Sequence, residues 1–204
     1  MGYRIITINR EFESCGSEIA QAVAKRLNLL YVDKFLITEA AQQSGFSLAR
    51  IEATDEKLAS RFEYSQAEAA HFYGSTATPL PTSEQVAEVQ FQLIRELAEK
   101  EPCLIVGRCA NHLLREREDV LDVFVHAGRD YRVKRTMENF GLSERKAVKL
   151  LKQTDKARKA YYKNYTGMEW NDPNSYHMIL NTDKLDFDLC VELICNAYEK
   201  ENMK

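Results

Sequence analysis

No stretch of this chain approaches the run of about 18 consecutive apolar residues that a membrane-spanning helix needs. The first residues read as a strand and not as a charged stretch followed by an apolar one, so a secretory signal is not expected, and the expected location is cytoplasmic. An excess of either charge is also missing. The 28 basic and 31 acidic residues leave a net charge of −3, so no global basic field points to nucleic acid. The five cysteines (Cys15, Cys103, Cys109, Cys190 and Cys195) are odd in number and contain no C-x-x-C pair. That argues against a disulfide framework and against structural zinc. The four histidines (His71, His112, His126 and His177) lack ligand spacing. No repeat or low-complexity segment is visible. At 204 residues the chain suffices for one domain, with or without an inserted flap.

What the chain does have is most concentrated near its start, in YRIITINREFESCGSEIAQAVAKRL. An apolar run (Ile5, Ile6, Ile8) stops at a polar turn. Gly16 and Ser17 then open an amphipathic pattern with Ile19, Ala20, Val23, Ala24 and Leu27 on one face. Strand, tight loop and helix form the layout of a phosphate-binding loop, where helix N-terminal N–H groups and the helix dipole hold an anion. In G-x-x-x-x-G-K-[ST] a lysine follows the loop glycine. Here Gly16 stands in its place, with Ser17 after it, where a serine or threonine would meet Mg²⁺. A cation must therefore come from elsewhere, and Arg10 is the nearest in sequence. Ser14 and Cys15 complete the expected loop. Cys15 reads either as a small replacement for a glycine or as a thiol activated by the helix N-terminus.

Apolar runs predict buried parallel strands at 4–8, 29–32, 103–106, 120–125 and 177–180. Helical patterns occupy 17–27, 34–44, 84–100, 111–117, 131–140, 143–164 and 187–202. Short apolar strands alternating with helices imply βαβ units and a parallel sheet covered on both faces. Within these patterns Cys103, Cys190 and Cys195 read as core residues. Residues 74–83 (GSTATPLPTS) have loop composition. Together with the polar and aromatic stretch before them they suggest a flap over about 51–83, or else a surface excursion without a role.

Three further groups sit where the carboxyl edge of such a sheet binds ligands. Asp33, just past the second strand, can cap the next helix or hold a substrate. Arg108 follows Gly107 after the third strand, where a guanidinium can fork onto a phosphate or merely make a surface salt bridge. Arg129, Arg132, Arg135 and, further on, Arg158 lie on two helical stretches joined by a Gly-Leu-Ser turn. A charge run of this kind is often only a solvated face. Asp155 and Arg158 are spaced i and i+3. Tyr161, Tyr162 and Tyr165 suit packing on the sheet or stacking on a base.

The opening loop together with LIVGRCANHLL, GLSERKAVKLLKQTDKARKAYYKNYTG and HMILNTDKLDFD resembles the cytidylate-kinase-like family, relatives of nucleoside monophosphate kinases, over nearly the whole chain except about 60–83. Members commonly show a loop like GREYGSGG, so Asn9, Glu13 and Cys15 replace glycines of that pattern. The resemblance implies a P-loop NTPase-type three-layer α/β sandwich of five parallel strands with helices on both faces and a helical lid at about 129–167. It also implies transfer of the γ-phosphoryl of ATP, with Mg²⁺, to a small acceptor, CMP being favoured. Arg10, Arg132 and Arg158 are then the catalytic cations. Ser14, Cys15, Gly16 and Ser17 would hold the donor, with Ser17 at the metal, and Asp33 and Arg108 the acceptor. The alternative is a non-catalytic nucleotide- or anion-binding module, because Gly16 replaces the lysine. Nucleotide substrates and a homodimer are the expected partners.

Overall fold

Ile5, Ile6 and Ile8 are fully buried and form the middle of β1 (Ile5–Arg10). Burial of each such side chain stabilises the fold by about 1.5–3 kcal/mol. The computed structural model describes residues 2–33 and 83–202. The helix expected at 34–44 and residues 51–82 of the expected flap lie outside the described residues. The remaining strands are β2 (Leu30–Val32), β3 (Cys103–Val106), β4 (Val120–His126) and β5 (Met178–Asn181). They pair in the order β2-β3-β1-β4-β5, and every pairing is parallel. The expected five-stranded parallel α/β sheet is therefore present, with β1 at its centre.

Alternation along β1 assigns its two faces. Ile6 and Ile8 pack with Ile19 and Val23 of α1 (Gly16–Leu27) and with Cys190 and Ile194 of α6 (Phe187–Asn202). Ile5 joins Ile94 and Ala98 of α2 (Ser83–Lys100) on the opposite face. All five cysteines are free and buried, and burial pushes the Cys103 thiol up to about 11. These are packing cysteines, as the sequence suggested for three of them.

Two element boundaries differ from expectation. Register with β4, at Asn9↔Phe124 and Arg10↔Val125, carries β1 two residues beyond its apolar run. The helix expected over 111–117 is a single turn, α3 (Ala110–Leu113). Beyond it, Arg117 is bound by the Asp119 carboxylate at 2.8 Å and by Glu99, which turns the chain toward β4. The expected lid is an α-hairpin of α4 (Arg129–Phe140) and α5 (Glu144–Thr166). Gly141 ends α4 at φ 62°, a left-handed cap that glycine adopts without a Cβ clash.

Candidate functional site

β1 delivers Arg10 to the carboxyl edge of the sheet, and the chain turns through 11–15 into the N-terminus of α1. Glu13 (φ 57°) and Cys15 (φ 59°) take left-handed backbone conformations, at two positions where the resemblance implies glycine. Such a conformation costs a non-glycine residue about 1–2 kcal/mol, so the surroundings must hold the loop in shape. Several contacts do so. The Asp155 carboxylate accepts the Phe12 N–H at 2.8 Å. Ser14 Oγ donates to the Glu11 carbonyl at 2.8 Å, and Thr182 Oγ1 donates to the Ser14 carbonyl at 2.9 Å. Cys15 Sγ lies 3.4 Å from the Tyr131 hydroxyl.

The Glu13 carboxylate turns toward α4. It accepts from Asn139 Nδ2 at 2.7 Å and lies 3.6 Å from Arg135 Nε. Burial nonetheless raises its pKa. Gly16 has a steric reason to be glycine. A Cβ there would stand 2.5 Å from Arg10 Cβ and 3.1 Å from Val125 Cβ. The stem of Arg10 therefore runs through the space that a lysine at 16 would need. Its Nε lies 3.3 Å from Ser17 Oγ, and its guanidinium reaches the Gly107 turn, where a Cβ would meet Nη1 at 2.8 Å.

Gly107, Arg108 and Cys109 all have positive φ and form the second loop facing the first. Arg108 is buried, with its guanidinium 5.5 Å from the centre of the Tyr161 ring. Arg158, one turn along α5 from Asp155, donates to the Arg10 carbonyl at 2.9 Å. Two hollows meet here. One, of about 220 Å³, is lined by residues 10–18 and Arg158. The other, of about 20 Å³, lies between Asn9, Arg108 and the aromatic residues Tyr161, Tyr162 and Trp170. Arg10 and Arg158 line both.

Two sequence-predicted residues are placed differently. Asp33 stands half-buried at the end of β2 and lines neither hollow, although its carboxylate helps burial to raise the Tyr31 pKa. Arg132 is buried behind the loop. Nη1 donates to Asp155 Oδ2 at 2.6 Å and to the Phe12 carbonyl at 3.2 Å. Nε donates to the Ala127 carbonyl at 3.1 Å and lies 3.3 Å from Glu11. The guanidinium thus braces the loop from behind.

Sequence reasoning missed Glu11 and Thr182. It also missed a buried chain in which Asn9 Nδ2 donates to Asn111 Oδ1 and Asn111 Nδ2 to the Tyr162 hydroxyl, both at 3.0 Å. Tyr162 is fully buried against Phe124 and Trp170, so it packs and does not stack on a ligand. Trp170 anchors its loop through its carbonyl, which accepts the Tyr176 hydroxyl, and through edge contact with Phe124 at 5.2 Å.

Among the described residues, no group of three or more His, Cys, Asp or Glu side chains is placed to hold a metal ion. The loop hollow still offers hard oxygens, the Ser17 hydroxyl and the Glu13 and Glu18 carboxylates. That set suits Mg²⁺, which takes one or two protein oxygens and completes its shell with phosphate and water. Among the described residues, no helix is long and apolar enough to cross a membrane.

The family model of the cytidylate kinase-like family matches residues 5–184. No curated protein matches the chain. Among solved structures, an uncharacterized protein from Eubacterium ventriosum is 27% identical, with TM-score 0.70, over 96% of this chain and 98% of that one. Shikimate kinase from Bacteroides thetaiotaomicron is 16% identical with TM-score 0.51, over 96% and 98% of the two chains. Shikimate kinase from Acinetobacter baumannii, in complex with shikimate, is 11% identical with TM-score 0.54, over 99% and 96%. At these identities the shikimate kinases speak for a shared P-loop kinase fold.

Proposed function

The chain belongs to the cytidylate kinase-like family, and from that premise we propose that it is a phosphotransferase of the nucleoside monophosphate kinase type. It moves the γ-phosphoryl of Mg²⁺-ATP to a small acceptor, CMP being favoured. One observation carries this reading: Arg10 and Arg158 line both the loop hollow and the hollow beside Arg108. Two cations at the junction of a donor and an acceptor space stand where charge passes from one oxygen to another. Phosphoryl transfer asks mainly for alignment and charge neutralisation.

In this reading the N–H groups at the start of α1 and the hydroxyl of Ser17 receive the donor phosphates, and Ser14 and Cys15 shape the turn beneath them. Mg²⁺, held by Ser17 with Glu18, would neutralise donor charge. Arg10 takes over the task of the missing lysine from the other side of the loop. Arg158 reaches the transferred group from the lid, and Arg108 forks onto the acceptor phosphate. Arg132 acts as a positioning residue, since its donors already hold Asp155, Glu11 and Phe12. Asp33 is assigned to the acceptor's far end. Met137 and Phe140, exposed near the hairpin tip, suit a twofold contact between copies of the chain, which light scattering at micromolar concentration checks.

A coupled ADP-release assay across a panel of nucleoside monophosphates tests the function. Mg²⁺-dependent turnover with CMP ahead of the rest is expected. Tight ATP binding without turnover on any acceptor would instead favour a non-catalytic nucleotide-binding module, a reading that Gly16 keeps in play.

A further inference from the structure

Behind the phosphate loop, in the groove between α4 and α5, lies a larger cavity of about 360 Å³. Five of its lining side chains are cations and two are carboxylates. Arg132 pairs with both carboxylates, Glu11 and Asp155, within the cavity wall, which leaves that cluster one net negative charge. The other four lining cations are Arg129 on α4, which lies 3.5 Å from the Asp130 carboxylate, and Lys152, Lys156 and Lys159 on α5, all exposed at the rim. Val133, Val148 and Leu151 provide an apolar floor.

The lysines are spaced i, i+4 and i+7, so they stand on one helix face over about 10 Å of rise. Like charges at i, i+4 destabilise a helix by about 0.2–0.5 kcal/mol per pair. Among the described residues, no ion pair joins Lys152, Lys156 or Lys159 to a carboxylate, whereas Lys163, the next lysine on this helix, is paired with Glu169. The chain as a whole carries −3, so this concentration of positive charge is local, and a concave, partly apolar wall strengthens its field. A volume of this size falls in the usual range of small-ligand sites.

We propose that this cavity is a second anion site, built for a small molecule carrying a chain of phosphates. A single phosphate would meet only part of a row of cations about 10 Å long, whereas a di- or triphosphate follows it. The site is distinct from the loop hollow. The Glu11–Arg132–Asp155 cluster stands between them, and none of Arg129, Lys152, Lys156 and Lys159 lines the hollow at Arg10–Glu18. The polyphosphate can be free or carried on a nucleoside whose base covers the apolar floor.

Calorimetric titration of the full chain with tripolyphosphate at low salt tests this, using the exposed double variant Lys152→Gln/Lys156→Gln. The wild type is expected to bind two equivalents. The double variant should weaken one of them at least tenfold, with its unfolding temperature unchanged and the other equivalent retained. The loop variant Arg10→Gln/Arg158→Gln should show the reverse loss. Unchanged affinity and stoichiometry in the lysine variant would overturn the proposal and leave the loop reading intact. Loss of all binding in the lysine variant, with none in the loop variant, would uphold the proposal and sink the loop reading. Repeating the titration with ATP separates the sources. Tighter binding than tripolyphosphate at the lysine site indicates a nucleotide, and equal binding a free polyphosphate.

Discussion

Restoring the missing loop lysine by Gly16→Lys should damage the protein. The introduced Cβ would stand 2.5 Å from Arg10 Cβ, 3.0 Å from Arg10 Cγ and 3.1 Å from Val125 Cβ. Neither Cβ atom is the loose end of a side chain. Both are set by the backbone of paired central strands, at Arg10↔Val125. Overpacking of this kind costs about 1–3 kcal/mol. Replacing glycine by a better helix former returns at most about 1 kcal/mol, and less at the first helical position. The net loss expected is about 1–2 kcal/mol, or roughly 2–8 °C in Tm for a domain of this size. Urea unfolding followed by circular dichroism measures it, with an unchanged m-value showing that the native state stays compact. The double variant Arg10→Gly/Gly16→Lys removes the opposing Cβ, so it should recover most of the overlap cost as a coupling energy. If Gly16→Lys were as stable as the wild type and bound ATP more tightly, the claim that Arg10 occupies the lysine's space would be wrong.

Three other outcomes follow from the same geometry. Arg108→Lys keeps the charge but loses the fork; at about 1.5–3 kcal/mol for a charge-assisted hydrogen bond, acceptor affinity should fall roughly ten- to a hundredfold with ATP affinity unchanged, and equal losses for both ligands would make Arg108 a structural residue. Glu13, whose pKa burial raises, holds its proton more tightly folded than unfolded. Its stabilising contribution is present below the unfolded pKa and lost as pH rises through the folded value, so Glu13→Gln should be more stable in chemical unfolding at neutral pH and bind loop phosphates more tightly there, both advantages shrinking as pH falls through the folded pKa; advantages independent of pH would mean that the carboxylate does not act through its charge. Asp155→Asn weakens the grip on Arg132 and Phe12, and should cost about 1.5–3 kcal/mol in chemical unfolding, with kcat falling more than the KM for the acceptor; unaltered stability would remove the bracing role.

The fold was legible because burial leaves a periodic trace. Ile5, Ile6 and Ile8 signal a strand covered on both faces, and the i, i+3 spacing of Asp155 and Arg158 places both on the side of α5 that meets the loop. The site was legible only in part. Arg132 belongs to a charge run that reads as solvated, yet it is buried by carboxylates from distant positions, Glu11 and Asp155, which no local window contains. Thr182 has no pattern at all, being one hydroxyl after β5 that reaches back 168 residues to the Ser14 carbonyl. The departure from glycine at Glu13 and Cys15 was visible, but its consequence was not. Among the described residues, four of the five non-glycine residues with positive φ (Glu13, Cys15, Arg108 and Cys109) fall in the two loops that face each other across Arg10. At about 1–2 kcal/mol each, such conformations persist only where tertiary contacts over-determine them, and they gather where a fold is shaped for binding. Local sequence preference is overruled at those four residues. They mark the edge of the sheet at which the Arg10 side chain connects the loop before α1 to the loop before α3.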